Sequence, residues 1–551
     1  MILAALPRLT LALMAAPVLA GLAGTLFPAL SNGAEGFRTL AAWPGLPRAS
    51  ALSLGSGLAS TALSLFLCIT LLAAFYGTGG FTPLRRLLAP LLSVPHAAAA
   101  LGLAFLIAPS GWIARALSPW ATGWTAPPDL LILNDAYGVS LTLGLVAKEL
   151  PFLLLMALSS LNAAQTDRAM TTASTLGYGR VSGFVLTVLP GLYRQLRLPV
   201  YAVLAYAMTS VDMAMILGPT LPPTLSQQVV IWRMVPDLTQ QTTAAAGAIW
   251  QLTLVLFALF LWRICEGLAR HAVTLWATAG LRAPGLDAPA RVLARLAAST
   301  IGLALCLGLA SLALWSIAGD WRFPDALPRS FTLNAWHIAL PDLLPATGLT
   351  LAIALAATLP ALALTLGCLE AETRHGLSAT PRAMTLLYLP LVIPQIAFLP
   401  GLQTFALMVG AEGTWPAVAA THLVFVLPYV FLSLSQPYRS LDPRLTTVGR
   451  ALGKTEARIF WTLRLPLLLA PVLTALAIGM AISVGQYLPT LLVGGGRVTT
   501  LTTDAVALSS GGNRRVIGSF ALLQMLLPAL FFGLALALPR LIWRNRRGML
   551  A

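Results

Sequence analysis

Four residues inside apolar stretches of this 551-residue chain carry groups that could do chemistry: Lys148, Glu149, Asp212 and Gln486. Lys148 and Glu149 stand in one hydrophobic run and Asp212 in the next. Gln486 lies in the second half of the chain, near the position that corresponds to Asp212. A charge at mid-bilayer costs roughly 2.5–3.5 kcal/mol on insertion scales, so each is expected to face protein or water. Neighbours at i and i+1 do not share a helix face, so Lys148 and Glu149 are not expected to pair with each other. Two roles stay open for this set: lining a polar path, or an internal ion pair that locks Lys148 to Asp212. The second half offers no charged counterparts, so a pore between the halves is expected to be asymmetric.

Covalent chemistry has no comparable set. No HExxH, paired carboxylates or nucleophile–base arrangement is present. His96 stands alone in an apolar run, and His271, His337, His375 and His422 are scattered. A lone helical histidine reads as structural, and no ligand cluster forms. Cys68, Cys265, Cys306 and Cys368 stand singly, which supports neither a metal site nor a disulfide framework. The chain is read as a non-enzyme that binds no cofactor itself.

The elements that must position these residues follow from composition. The chain is 58% apolar and 9% charged, against about 25% charged in a soluble domain. Apolar stretches of about 20 residues, the length of a bilayer helix, recur throughout. The expectation is an all-α polytopic membrane protein in contact with the lipid bilayer. Its twelve spans fall near 9–30, 51–75, 87–108, 136–162, 196–218, 243–264, 297–317, 343–368, 383–409, 414–436, 470–493 and 517–539. The first apolar run exceeds the h-region of a signal peptide and reads as a retained span. The net charge of +16 is spread between spans, with no basic strip interleaved with aromatics, so nucleic acid is not an expected partner.

Twelve spans place both termini on one side. With the termini cytoplasmic, 24 basic residues fall in inside segments and nine in outside segments, which sets the orientation by the positive-inside rule. The outside segments carry Trp112, Trp120, Trp124, Trp321 and Trp336. These read as interfacial anchors or as a docking surface for a soluble protein. Residues 1–265 and 297–551 form two six-span halves. Residues 266–296, with Pro284, Gly285 and Pro289, read as a cytoplasmic linker.

One segment is written twice. The first copy runs from Thr171 through Ala173 and Gly177 to Phe184, then Leu189-Pro190. The second runs from Thr447 to Gly453, Phe460 and Leu465-Pro466, with a constant offset of 276 residues. A repeat of half the chain means duplication of a whole domain. The correspondence extends further. Leu150-Pro-Phe-Leu matches Leu427-Pro-Tyr-Val, Pro95-His96 matches Pro394-Gln395, and Thr224-Leu225 matches Thr500-Leu501.

The paired segments, expected as loops over 167–190 and 442–466, resemble the cytoplasmic EAA loop of binding-protein-dependent ABC importer permeases. Gly177 and Gly453 take the family's glycine; Leu189-Pro190 and Leu465-Pro466 take its Leu-Pro. Thr171 and Thr447 replace the Glu, Ala173 alone survives of the first Ala pair, and Thr187 and Leu463 replace the Ile. The resemblance implies a fused permease subunit similar to the iron(III) and thiamine branch, in the bacterial inner membrane. Two copies of a cytoplasmic ABC ATPase, which alone uses ATP, and a periplasmic substrate-binding protein are the implied partners, and a small polar solute is the implied cargo. Each loop is then expected to hold a short helix that docks on the ATPase, started by Asp167 in one copy and by Asp442-Pro443 in the other. Gly177 and Gly453 would turn its end, and the Leu-Pro pairs would end the connecting segment before the next span. The alternative for two six-span repeats is a secondary active transporter.

Two nucleotide-like motifs do not compete with this. Gly449 to Thr455 lacks one residue of the P-loop spacing and any preceding strand. Leu508 to Asn513 echoes an ABC signature but falls in an outside segment.

Overall fold

The computed structural model describes residues 2–31, 34–79, 81 and 94–544. Among these, nine helices are long and apolar enough to cross a bilayer. The total is twelve when each of three bent helix pairs counts as one crossing. The first half holds Leu3–Leu30, Leu46–Phe75, His96–Leu117, Val139–Ser160, the bent pair Arg180–Ala207 with Val211–Leu217, and Leu238–Thr278. The second holds Pro284–Ser316, Asn334–His375, the bent pair Pro381–Val392 with Gln395–Met408, and Trp415–Arg439. The bent pair Glu456–Leu467 with Leu469–Val484, and then Arg514–Ile542, complete it. These follow the order read from hydropathy. The start of the third expected span at 87, and Arg85, Arg86, Arg546 and Arg547, lie outside the described residues.

The halves are joined by exchange of their first spans. Helices in lipid gain little from apolar burial against each other, so close approach over small residues drives their packing. In the first span, Gly21 lies against the Phe398 carbonyl of the ninth, where an added Cβ would sit 2.3 Å from the oxygen. One turn on, Gly24 faces Gly401, and the Gly401 N–H donates to Thr25 Oγ1 at 3.0 Å. The seventh span returns the arrangement: Gly308 meets Gly102 of the third, and a Cβ on either would come within 2.9 Å of the other's backbone. Each half therefore closes only with the other half's first span in place.

The expected linker is largely helix. The sixth-span helix runs unbroken to Thr278, a 3-10 turn covers Pro284–Leu286, and the next helix begins at Asp287. Its Leu, Ala and Arg content favours helix, and Pro284 and Pro289 sit at the turn and in the first helical turn, where no N–H is needed.

Candidate functional site

Both repeat segments fold alike. The first contains a helix at Ala163–Thr175 and the second a helix at Pro443–Ala451. Asp442 caps the second, accepting from the Arg444 N–H at 2.9 Å, with Pro443 at the first helical position, as expected. In the first copy the expected start is displaced. Asn162, whose carboxamide accepts from the Gln165 N–H, is the N-cap, and Asp167 lies inside the helix. The chain leaves the preceding span one turn earlier than the aspartate suggested, and Asn caps as well as Asp.

Gly177 and Gly453 have φ of +80° and +71°. In each copy the glycine and the residue after it complete a Schellman turn beyond the C-cap leucine. Tyr178 N–H donates to Ala173 O and Gly177 N–H to Ser174 O. Lys454 N–H donates to Gly449 O and Gly453 N–H to Arg450 O. Thr171 and Thr447 are exposed, each hydroxyl donating to the carbonyl four residues back. Ala173 is buried against Gly183, and the pair is size-reversed in the second copy, where Gly449 meets Ile459. Each turn leads through a short helix into a π-helical turn, Phe184–Val188 and Phe460–Arg464, immediately before the Leu-Pro pair. The Leu-Pro pairs therefore do not end the connecting segment. Pro190 and Pro466 open the next helix, and the wider turn accommodates a ring that would clash with the carbonyl four residues back. The Gly449–Thr455 stretch is thus the end of a helix and its turn.

The copies differ in what braces them. Asp287, from the linker, accepts from the N–H groups of Arg180 and Val181 at 2.8 and 2.9 Å, capping the short helix of the first copy from a distance in sequence. Ser182 Oγ donates to Arg282 O at 2.7 Å. In the second copy Thr455 provides the cap locally. There Arg464, buried, donates to Glu370 at 2.6 Å, to Thr446 Oγ1 at 3.2 Å and to Glu456 at 3.4 Å. Arg374 and Tyr438 also donate to Glu370. Arg464 thus ties the second helix to the eighth span.

Each repeat segment continues into a span that breaks near the end far from the repeat helix, at Met208–Ser210 and at Gly485–Tyr487. A broken helix leaves carbonyls without partners, which lipid cannot supply. Both halves meet this with residues at corresponding positions. Met208 O accepts from Ser226 Oγ at 3.3 Å and from Gln251 Nε2 at 2.9 Å. Val484 O accepts from Thr502 Oγ1, which in turn accepts from Gln524 Nε2. The Thr-Leu pairs found by repeat serve the same end. Leu225 N–H donates to Ser53 Oγ and Leu501 N–H to Thr350 Oγ1, both at 3.0 Å, fixing the second helix after each break, Leu225–Met234 and Leu501–Ser509, to its half's second span.

The two breaks face each other across a cavity of about 190 Å³ between the halves. Lys148, Glu149, Asp212 and Gln486 all line it, together with the matched pairs His96 and Gln395, and Phe152 and Tyr429. Phe152 and Tyr429 meet edge to face at 6.5 Å. Lys148 and Glu149 diverge as their spacing requires: Lys148 Nζ donates to Val94 O at 2.6 Å, and Glu149 Oε2 accepts from Ser64 Oγ at 3.4 Å. Among the described residues no ion pair joins Lys148 to Asp212. Asp212 accepts from Ser210 Oγ at 2.9 Å and is absent from the ion pairs among the described residues. The charged groups come from the first half alone, giving the asymmetry read from sequence. His96 stacks near Tyr206 at this wall. His422 lies elsewhere, bonded to Ser483 and Thr490, a structural placement. Of the tryptophans expected outside, Trp321 is buried against Arg115, whereas Trp120 stays exposed.

Residues 363–542 match the family model for the binding-protein-dependent transport system inner membrane component. The chain is 31% identical to the inner membrane ABC transporter permease protein YnjC of Escherichia coli strain K12 over 546 residues, 98% of this chain and 96% of the relative. The chain belongs to the ABC transporter permeases. A second relative, the putative 2-aminoethylphosphonate transport system permease protein PhnV of Salmonella typhimurium strain LT2, is 28% identical over 43% of this chain and 89% of its own. Its homologue in Salmonella typhi is 27% identical over similar shares. The full-length likeness to an ABC permease also sets aside the secondary-transporter alternative.

Sequence reasoning missed four groups of this permease: the Asp287 cap, the Arg464–Glu370 strut, and Gln251 and Gln524 behind the breaks. Polar Gln in otherwise apolar spans was the available signal for the last two, and their near-equal spacing from Leu225 and Leu501 was a second.

Proposed function

We propose that this permease forms the whole translocation pathway of a binding-protein-dependent importer, the two repeat helices each seating one copy of a separate ATPase on the cytoplasmic side. The observation that carries the reading is the duplicated helix–Schellman turn–π turn unit, which in both halves leads into the span that breaks at the central cavity. A pull on either helix would reach the cavity wall through the span that follows it, which bends by 75° at Leu468 in the second copy. The second helix also presents exposed Leu445, Val448 and Leu452 on an otherwise polar segment, the pattern of a surface that packs against a partner. A solute delivered from a periplasmic binding protein would pass between Asp212 and Gln486, and ATP would be consumed by the partner alone.

The test is co-purification and uptake with Gly177→Asp and Gly453→Asp. A β-carbon is unfavourable at both positive φ values, and a charge adds desolvation on docking. The expected outcome is normal membrane insertion with reduced ATPase recovery and blocked uptake. Undiminished recovery and uptake in both variants would make these segments mere connections.

A further inference from the structure

We infer that the central cavity is a binding site for a small organic cation, its positive group held by Glu149 and Asp212 and its apolar body by the aromatic rings of both halves. This rests on the permease reading and adds the substrate class, which neither the family nor the relatives' names assign to this chain.

Three observations converge. The first is charge. Glu149 and Asp212 line the cavity together with Lys148, and the second half contributes Gln395 and Gln486 but no charge. The formal balance at the wall is thus two carboxylates to one ammonium. Lys148 is drawn aside to the Val94 carbonyl, whereas Asp212 accepts from Ser210 and is in none of the ion pairs among the described residues.

The second is an unfilled acceptor. Glu149 is 3% exposed, and its Oε1 accepts no hydrogen bond among the described residues while Oε2 takes one long contact from Ser64. A buried carboxylate oxygen without a partner is costly. A cation arriving in the cavity that Glu149 lines would supply what the protein does not.

The third is the aromatic lining. Phe152, Tyr206, Tyr429 and Tyr487 border the same cavity. Cations over aromatic faces are attracted by the ring quadrupole, most strongly when desolvated, and quaternary ammonium groups are recognised in this way. The mixture argues for an organic cation over a bare metal ion, because no group of three or more His, Cys, Asp or Glu side chains comes together among the described residues. The cavity volume of about 190 Å³ is below the roughly 300 Å³ at which drug-sized pockets begin, which keeps the ligand small.

The test uses the full chain in lipid nanodiscs and three probes of similar size: choline, its neutral isostere 3,3-dimethylbutan-1-ol, and the anion 3,3-dimethylbutanoate. Binding is read by calorimetry. Choline is expected to bind at least about tenfold more tightly than either of the others. Glu149→Gln and Asp212→Asn should each weaken choline by about tenfold and leave the neutral alcohol unchanged, and Tyr429→Leu should weaken choline more than the alcohol. Thermal denaturation of each ligand-free variant separates a lost site from a lost fold, and Lys148→Met, which removes the competing positive charge, should tighten choline. Equal binding of the isosteric alcohol, preference for the anion, or failure of every probe to bind would overturn the assignment. Recovery of the ATPase with the wild-type chain is independent of all three probes, so the substrate class can fail while the permease reading stands.

Discussion

Arg464→Met is the perturbation whose size follows most directly from the structure. The Arg464 and Glu370 side chains are 3% and 5% exposed and meet at 2.6 Å. Removing one partner of a buried pair costs about 3–5 kcal/mol, because the other charge stays buried. Arg374 and Tyr438 still reach Glu370, which places the expectation near about 3 kcal/mol, or roughly a hundredfold in the folded-to-unfolded ratio. The assay is thermal denaturation of the purified chain in detergent, with ATPase recovery measured on the same preparations. Adding Glu370→Leu should restore most of the stability, since an apolar pair can replace a buried ion pair at little net cost. ATPase recovery should remain low in the double variant, because Thr446 and Glu456 no longer share a strut with the eighth span. Wild-type stability in Arg464→Met, or full ATPase recovery in the double variant, would refute the assignment of Arg464 as the brace of the second repeat helix.

Three further outcomes are expected. Gly453→Ala, where a Cβ meets nothing within 4 Å, isolates the backbone term; a left-handed alanine costs roughly 1–2 kcal/mol, read as about tenfold weaker ATPase binding in a titration, with Gly453→Asn intermediate. Gln251→Leu leaves Met208 O with only the 3.3 Å contact from Ser226 and should lower the denaturation temperature while sparing ATPase recovery, whereas unchanged stability would show that the break does not need it. A reporter active only in the periplasm should be silent when fused after Ala283 and active after Pro341; activity at Ala283 would invert the membrane orientation.

Much of this was legible because duplication and hydropathy are written in residue types. The twelve spans, the paired glycines at positive φ and the Asp442-Pro443 start all rest on local rules of helix length, capping and left-handed turns. The gathering of Lys148, Glu149, Asp212 and Gln486 at one cavity was half legible. The cost of a charge in lipid says that each must face inward, but only the break in each half's fifth span brings Asp212 and Gln486 to the space that Lys148 and Glu149 line. The Asp287 cap could not be read from spacing, since it joins residues more than one hundred positions apart. Asp167 misled for the converse reason: a good capping residue lay inside the helix, and Asn162 had already started it. The linker's prolines and glycine mark only its turn, and its many helix formers carry helix through the rest.

The central claim is that both repeat helices contact an ATPase at once. With exposed Cys265 and Cys306 replaced by serine, Thr171→Cys and Thr447→Cys place one thiol on the exposed face of each helix, and co-expression with an ATPase carrying a single groove cysteine allows oxidative cross-linking. Each single variant is expected to capture one ATPase and the double variant two on the same chain, resolved by mass. Capture at only one helix, or at neither, would contradict it.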